Sequence, residues 1–139
     1  MLAPLTRAGL FDFDRIKTHA QRLVDAFAVK TPLLSTPTSS LSGGNIQKVI
    51  LARELDSSPT VLLAAQPTRG VDIGATEYIH SELIKQRTEG VAILMISEDL
   101  DEILALADRI AVMFEGSIVA VVDRADATKE ELGLAMAGG

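Results

Sequence analysis

Cysteine is absent from the 139 residues, so neither a disulfide framework nor a thiolate metal site can be built. No apolar run approaches the ~20 residues that a membrane-crossing helix needs. Lysine and arginine are scattered rather than clustered, and the formal net charge is −6. That argues against sequence-independent nucleic-acid binding, which rests on neutralising phosphates. The first ten residues carry no apolar core of the signal-peptide kind. Internal repeats and low-complexity segments are also missing. What remains points to one modest domain, in the cytosol or docked on the cytosolic face of a membrane. It is rich in apolar residues, 47% with a mean hydropathy of +0.27. With no span to account for it, this suggests apolar surface that a partner would cover.

The pattern along the chain alternates helix and strand. Residues 1–10 read as an irregular lead-in, with Pro4 and Gly9 as breakers. Asp12 can cap a helix running to about Ala28, with Phe13, Ile16, Ala20, Leu23, Val24 and Phe27 on one face. His19 on that helix shows no partner in the sequence and is expected to be a plain surface residue. Residues 29–40 form a loop, and a helix follows from about Gly44 to Leu55. Residues 60–65 are a continuous apolar run, expected as a strand buried on both faces. A helix over 74–87 should turn Ala75, Ile79, Leu83 and Ile84 inward. His80 on its polar side carries no assigned role. A second buried strand spans 91–96, completing a βαβ unit. A short helix over 98–107 presents Leu100, Ile103 and Leu104. The runs 110–114 and 117–122 form a hairpin about Glu115-Gly116. Thr128 to Glu131 is a capping-box pattern that opens a last helix.

One stretch organises the rest: Leu41-Ser42-Gly43-Gly44-Asn45-Ile46-Gln47-Lys48. Ser42 is a favoured N-cap whose oxygen can accept an orphan N–H of the first turn. The glycines let a ligand approach the backbone. A helix start with bare N–H groups and the positive dipole end suits an anion, phosphate above all. A capped surface helix after a glycine turn would look the same.

This octet resembles the signature motif of the ATP-binding cassette (ABC) ATPases, with Asn45 where glutamine is usual. Val61 to Asp72 resembles the family's Walker B strand and D-loop. Ile93 to Glu102 resembles the strand and switch loop that follow. The resemblance runs from about Phe11 to Val122, and the spelling Ala65-Gln-Pro-Thr-Arg-Gly-Val-Asp72 is similar to the second cassette of simple-sugar and nucleoside importers. It implies an α/β fold: part of a P-loop NTPase core with a mainly parallel sheet and flanking helices. Residues 1–59 would be a helical subdomain with the signature helix, and residues 60–139 the C-terminal part of the ATPase core.

The chain has no G-x-x-x-x-G-K-[ST] P-loop. The expectation is therefore the C-terminal portion of a second nucleotide-binding domain, with a naturally short paralogue as the alternative. Three catalytic positions of the family are also altered. The resemblance puts Ala65 where an Asp holds Mg²⁺, Gln66 where a Glu polarises the attacking water, and Glu98 where a His meets the γ-phosphate. Alanine offers no oxygen to a cation, an amide takes no proton near neutral pH, and a carboxylate repels a triphosphate. No catalytic residue is expected to be active in this half-site, and no metal site is expected in the chain.

Family dimers are head to tail. Ser42, Gly43, Gly44 and Asn45 would therefore close on ATP held by the partner domain, with the D-loop Asp72 reaching across. Asp72 can equally be the N-cap of its helix. ATP and Mg²⁺ belong to the parent assembly and neither to this chain alone. The implied partners are a second nucleotide-binding domain, membrane permease subunits and, indirectly, a substrate-binding protein, at the cytoplasmic face of the cell membrane. The implied function is the energy-coupling ATPase component of an importer for simple sugars or nucleosides. Two other classes share the scaffold: a DNA-repair or chromosome-structure ATPase head, and a non-enzymatic dimerisation module. The first would carry long heptad arms and basic surfaces, and neither is present.

Overall fold

Asp12 starts the first long helix as its side chain permits: Oδ1 accepts the N–H of Arg15 at 3.1 Å. The structure, a computed structural model, describes residues 6, 7 and 10–138, the first two by backbone alone. The elements run β1 (Thr6–Arg7), β2 (Leu10–Phe11), α1 (Phe13–Ala26), α2 (Gly43–Leu55), β3 (Val61–Ala65), α3 (Ile73–Thr88), β4 (Ala92–Ile96), α4 (Leu100–Leu106), β5 (Arg109–Phe114), β6 (Ser117–Asp123) and α5 (Lys129–Met136). Short 3₁₀ turns stand at Thr38–Ser40 and Arg124–Asp126. Thr6 pairs with Phe11 and Arg7 with Leu10, so that much of the supposed lead-in is a small antiparallel ribbon. The breakers Pro4 and Gly9 lie outside the described residues.

Strands β3 and β4 are hydrogen-bonded neighbours. Ala92 N–H donates to Thr60 O at 3.0 Å and Gln66 N–H to Ile96 O at 2.7 Å. The bonds advance in the same sense along both strands, so the pair is parallel. Its strands are not buried on both faces as expected. Burial alternates, and Val61, Leu63, Leu94 and Ile96 are half or more exposed. An apolar run fixes a strand, but burial of both faces also needs a layer on each side.

Contacts divide the chain into two compact units. One holds the residues up to Leu62 together with Pro67–Ala92. Here α2 buries Gly44, Ala52 and Leu55, and α3 buries Ala75, Ile79 and Leu83 at the four-residue spacing of one helical face. Each buried Leu or Ile contributes about 1.5–3 kcal/mol relative to exposure. Ile84, expected inward, is 42% exposed, one position round from the buried stripe. Helix α1 is amphipathic but buries none of its residues fully. It ends at Ala26 rather than Ala28, because Ala28 turns to φ 48.

The other unit holds Leu63–Gln66 and the residues from Ile93 on. Ile110, Val112 and Leu132 form its core, with Leu100, Ile103 and Leu104 of α4 packed against them. The β5–β6 hairpin is antiparallel, with Phe114 opposite Ser117. Its turn residues Glu115 and Gly116 both have positive φ, 46 and 80, as a two-residue hairpin loop requires. Thr128 Oγ1 accepts the N–H of Glu131 at 3.2 Å, which confirms the cap that opens α5. No helix among the described residues is long and apolar enough to cross a membrane.

Candidate functional site

The start of α2 differs from the starts of the other helices. Asp12, Asp72, Asp99 and Thr128 each cap their own helix with a side-chain oxygen. Ser42, the N-cap of α2, makes no such bond. The expected hydroxyl cap is thus corrected. The first intrahelical bond is Ile46 N–H to Ser42 O at 2.9 Å. The N–H groups before it have no helical acceptor, and no acidic residue stands in the first turn to oppose an anion.

Asn45 explains where the Ser42 hydroxyl has gone. Its amide Nδ2 donates to Ser42 Oγ at 2.8 Å. Its Oδ1 accepts the backbone N–H of Lys30 at 2.7 Å. Ser42 and Gly43 are exposed, Asn45 is half-buried and Gly44 is buried.

Burial of Gly44 changes the reason for its being glycine. A Cβ there would stand 2.6 Å from the Ala75 Cβ, so the missing methyl makes room for α3. A Cβ at Gly43 would stand 3.0 Å from Gly70 O. Gly70 itself has φ +74, which suits glycine, and its carbonyl lies against the start of α2. Asp72 is exposed and accepts the N–H of Ala75 through Oδ1 at 2.9 Å. The N-cap role expected for it is present. Lys48, one turn on from Asn45, donates to Ala28 O at 3.2 Å and lies 4.3 Å from the centroid of the Tyr78 ring. Burial, and then the charge of Glu82, raises the Tyr78 hydroxyl above its ordinary pKa.

His19 is not the isolated surface residue expected. Its Nε2 lies 2.8 Å from Asp56 Oδ2, and Arg22 reaches the same carboxylate at 2.9 Å. Arg22 also reaches His19 Nδ1 at 3.4 Å. Arginine can only donate, so Nδ1 is the accepting nitrogen and Nε2–H donates to Asp56. Asp56 lies 37 positions away, a pairing no local pattern could reveal.

The three altered positions lie in the other unit, at the carboxyl ends of β3 and β4. Ends of parallel strands are where α/β folds take ligands. Ala65 is exposed, and Gln66 is half-buried at φ 50 with its N–H on Ile96 O. Glu98 is exposed, just past β4, ahead of Asp99, whose Oδ1 accepts the N–H of Asp101 at 2.8 Å. Among the described residues no three His, Asp or Glu side chains stand together as a cation would need. A methyl, an amide and an exposed carboxylate do not fit Mg²⁺ with a triphosphate. The start of α2 does fit a phosphate: it offers a hydroxyl and uncapped N–H groups with no carboxylate in its first turn. Glu102 carries the one buried charged side chain among the described residues, which its sequence context did not suggest.

A scan against protein-family models finds no match. Among proteins of known name, the chain is 49% identical over 136 residues to the nucleoside import ATP-binding protein NupA of Lactococcus lactis. That match covers 98% of this chain and 27% of the relative. It is 48% identical over 130 residues to the glucose import ATP-binding protein TsgD13 of Haloferax volcanii, covering 92% of this chain and 24% of that protein. The chain thus spans about a quarter of the length of the curated relatives it matches. Among solved structures it resembles a dimeric bacterial ABC transporter cassette with a TM-score of 0.69 at 21% identity, over 85% of this chain and 51% of that one. At that identity the likeness establishes the fold: part of a P-loop NTPase cassette.

Proposed function

The chain belongs to the ABC ATPases, and from that premise we propose that it serves in the energy-coupling subunit of an importer for nucleosides or simple sugars, by supplying the signature half of an ATP site. The observation that carries this reading is the uncapped start of α2 with Ser42 exposed beside it. In this reading residues 1–59 are the helical subdomain and residues 60–139 the C-terminal part of the ATPase core. The chain's own work is recognition. Ser42 and the first-turn N–H groups donate to phosphate oxygens of ATP held by the P-loop of a second nucleotide-binding domain, and Asp72 faces the same seam. Donors fixed in advance toward developing phosphoryl charge are where such enzymes gain most of their rate. Ala65, Gln66 and Glu98 leave the chain's own half-site without a metal ligand, a base or a γ-phosphate donor. Turnover therefore belongs to the site that the signature completes. The assembly works at the cytoplasmic face of the membrane, against permease subunits.

The test is Ser42→Arg in the whole ATP-binding protein, reconstituted with its permease. Bulk at the seam should abolish ATP turnover and substrate uptake while ATP binding to the partner P-loop persists. Wild-type turnover and uptake in this variant would remove the signature from the working site.

A further inference from the structure

Hydrogen-bond direction around Asn45 leaves no choice. A backbone N–H can only donate, so the Asn45 atom 2.7 Å from Lys30 N is the carbonyl oxygen. The amide's other end, facing Ser42 Oγ at 2.8 Å, is therefore the NH₂ group, which can only donate. Ser42 Oγ is the acceptor in that bond, and the hydroxyl proton is directed elsewhere. We infer that Asn45 is a positioning residue: anchored by Lys30, it holds the Ser42 hydroxyl off its own helix and turns its proton out toward an incoming phosphate oxygen.

Two consequences strengthen the assignment, and both rest on the reading of α2 as a phosphate-binding signature. First, a free N-cap serine would swing Oγ onto the N–H of the second or third helical residue. The Asn45 amide occupies Oγ instead, and the helix has no side-chain cap, so those N–H groups stay available. Second, Asn45 stands three residues after the N-cap. In a capping box that position reaches back to the N-cap backbone N–H. Here it reaches the N-cap hydroxyl, so it orients a donor where a capping box would close the helix start.

The experiment uses the whole ATP-binding protein with its permease and reads kcat and KM for ATP, with thermal unfolding as a check on folding. Asn45→Asp is nearly isosteric. Its carboxylate still accepts the Lys30 N–H, but it can only accept from Ser42 and so draws the hydroxyl proton inward. Ser42→Ala should lower kcat about a hundredfold, and Asn45→Asp at least about tenfold, with KM little changed because the partner P-loop holds the nucleotide. The double variant Ser42→Ala/Asn45→Asp should match Ser42→Ala within about twofold, since with no hydroxyl there is nothing left to orient. A double variant that is multiplicatively worse would mean that the new charge acts directly on phosphate, and would overturn the assignment. So would Asn45→Asp at wild-type turnover while Ser42→Ala is crippled. Ser42→Ala at wild-type turnover would overturn the phosphate-binding reading itself, and this inference with it. If Asn45→Asp unfolds, Asn45→Ala replaces it: its kcat loss should vanish in the Ser42→Ala background, and a loss that persists there overturns the assignment.

Discussion

Gly44 on α2 faces Ala75 on α3 so closely that a methyl at Gly44 would lie 2.6 Å from the Ala75 Cβ. Ala75 is in turn the residue whose N–H Asp72 caps. The two glycines at the start of α2 therefore have different tasks. Gly43 is exposed and lies along Gly70, while Gly44 sets how near the helix that follows Asp72 can come.

Moving that methyl is the first prediction. Gly44→Ala should lower the stability of the chain by about 1–3 kcal/mol through overpacking. Gly44→Ala combined with Ala75→Gly transfers the methyl across the contact and should recover most of the loss, less about 0.5–1 kcal/mol for glycine inside a helix. Urea unfolding of the parent and the two variants measures it. A Gly44→Ala variant as stable as the parent would mean that the helices part freely, and that the glycine is needed for something else.

Restoring one carboxylate should not restore a site. In the whole protein, Gln66→Glu is expected to leave ATP turnover where it was, because Ala65 still offers no oxygen to a cation and the exposed Glu98 still opposes the phosphates. Steady-state hydrolysis before and after the substitution decides this. A rise of about a hundredfold or more, the scale on which a general base acts, would count against the reading of three losses in one site.

Tyr78 is the only tyrosine in the chain, so its ionisation can be followed alone by ultraviolet absorbance. The folded midpoint should lie above the ordinary 10.0, since burial and then Glu82 oppose the phenolate. A raised folded pKa means stability that is fully present below pH 10 and lost as pH rises through the folded value. Unfolding in urea should return the midpoint to its ordinary value. A folded midpoint at or below 10 would indicate that the Lys48 ammonium, 4.3 Å from the ring centroid, outweighs both.

The order of elements, the caps at Asp12, Asp72 and Thr128 and the hairpin about Glu115-Gly116 were legible because each is a short-range pattern. Capping is settled by residues two or three apart, and a two-residue hairpin by the φ its turn residues can adopt. Ser42 and Gly44 were legible as positions but not as roles. Ser42 has the chemistry of a cap, and only Asn45 together with Lys30 shows that the cap is not made. Gly44 has the look of a ligand-facing glycine, and only the approach of Ala75 shows that it also packs against α3. His19 failed for the same reason: its partner arrives from far along the chain. Burial of β3 and β4 was overstated because hydrophobicity is a property of the strand, while burial also depends on what is laid over it.

The bonds around α2 also have a mechanical reading. Asp56, at its last turn, is gripped by His19 and Arg22 of α1. Near its first turn, Asn45 and Lys48 are bonded to the main chain of Lys30 and Ala28, just beyond α1. A beam pinned at both ends does not slide. For α2 to shift along α1, the bonds of Asp56 at one end and those of Asn45 and Lys48 near the other would have to break together.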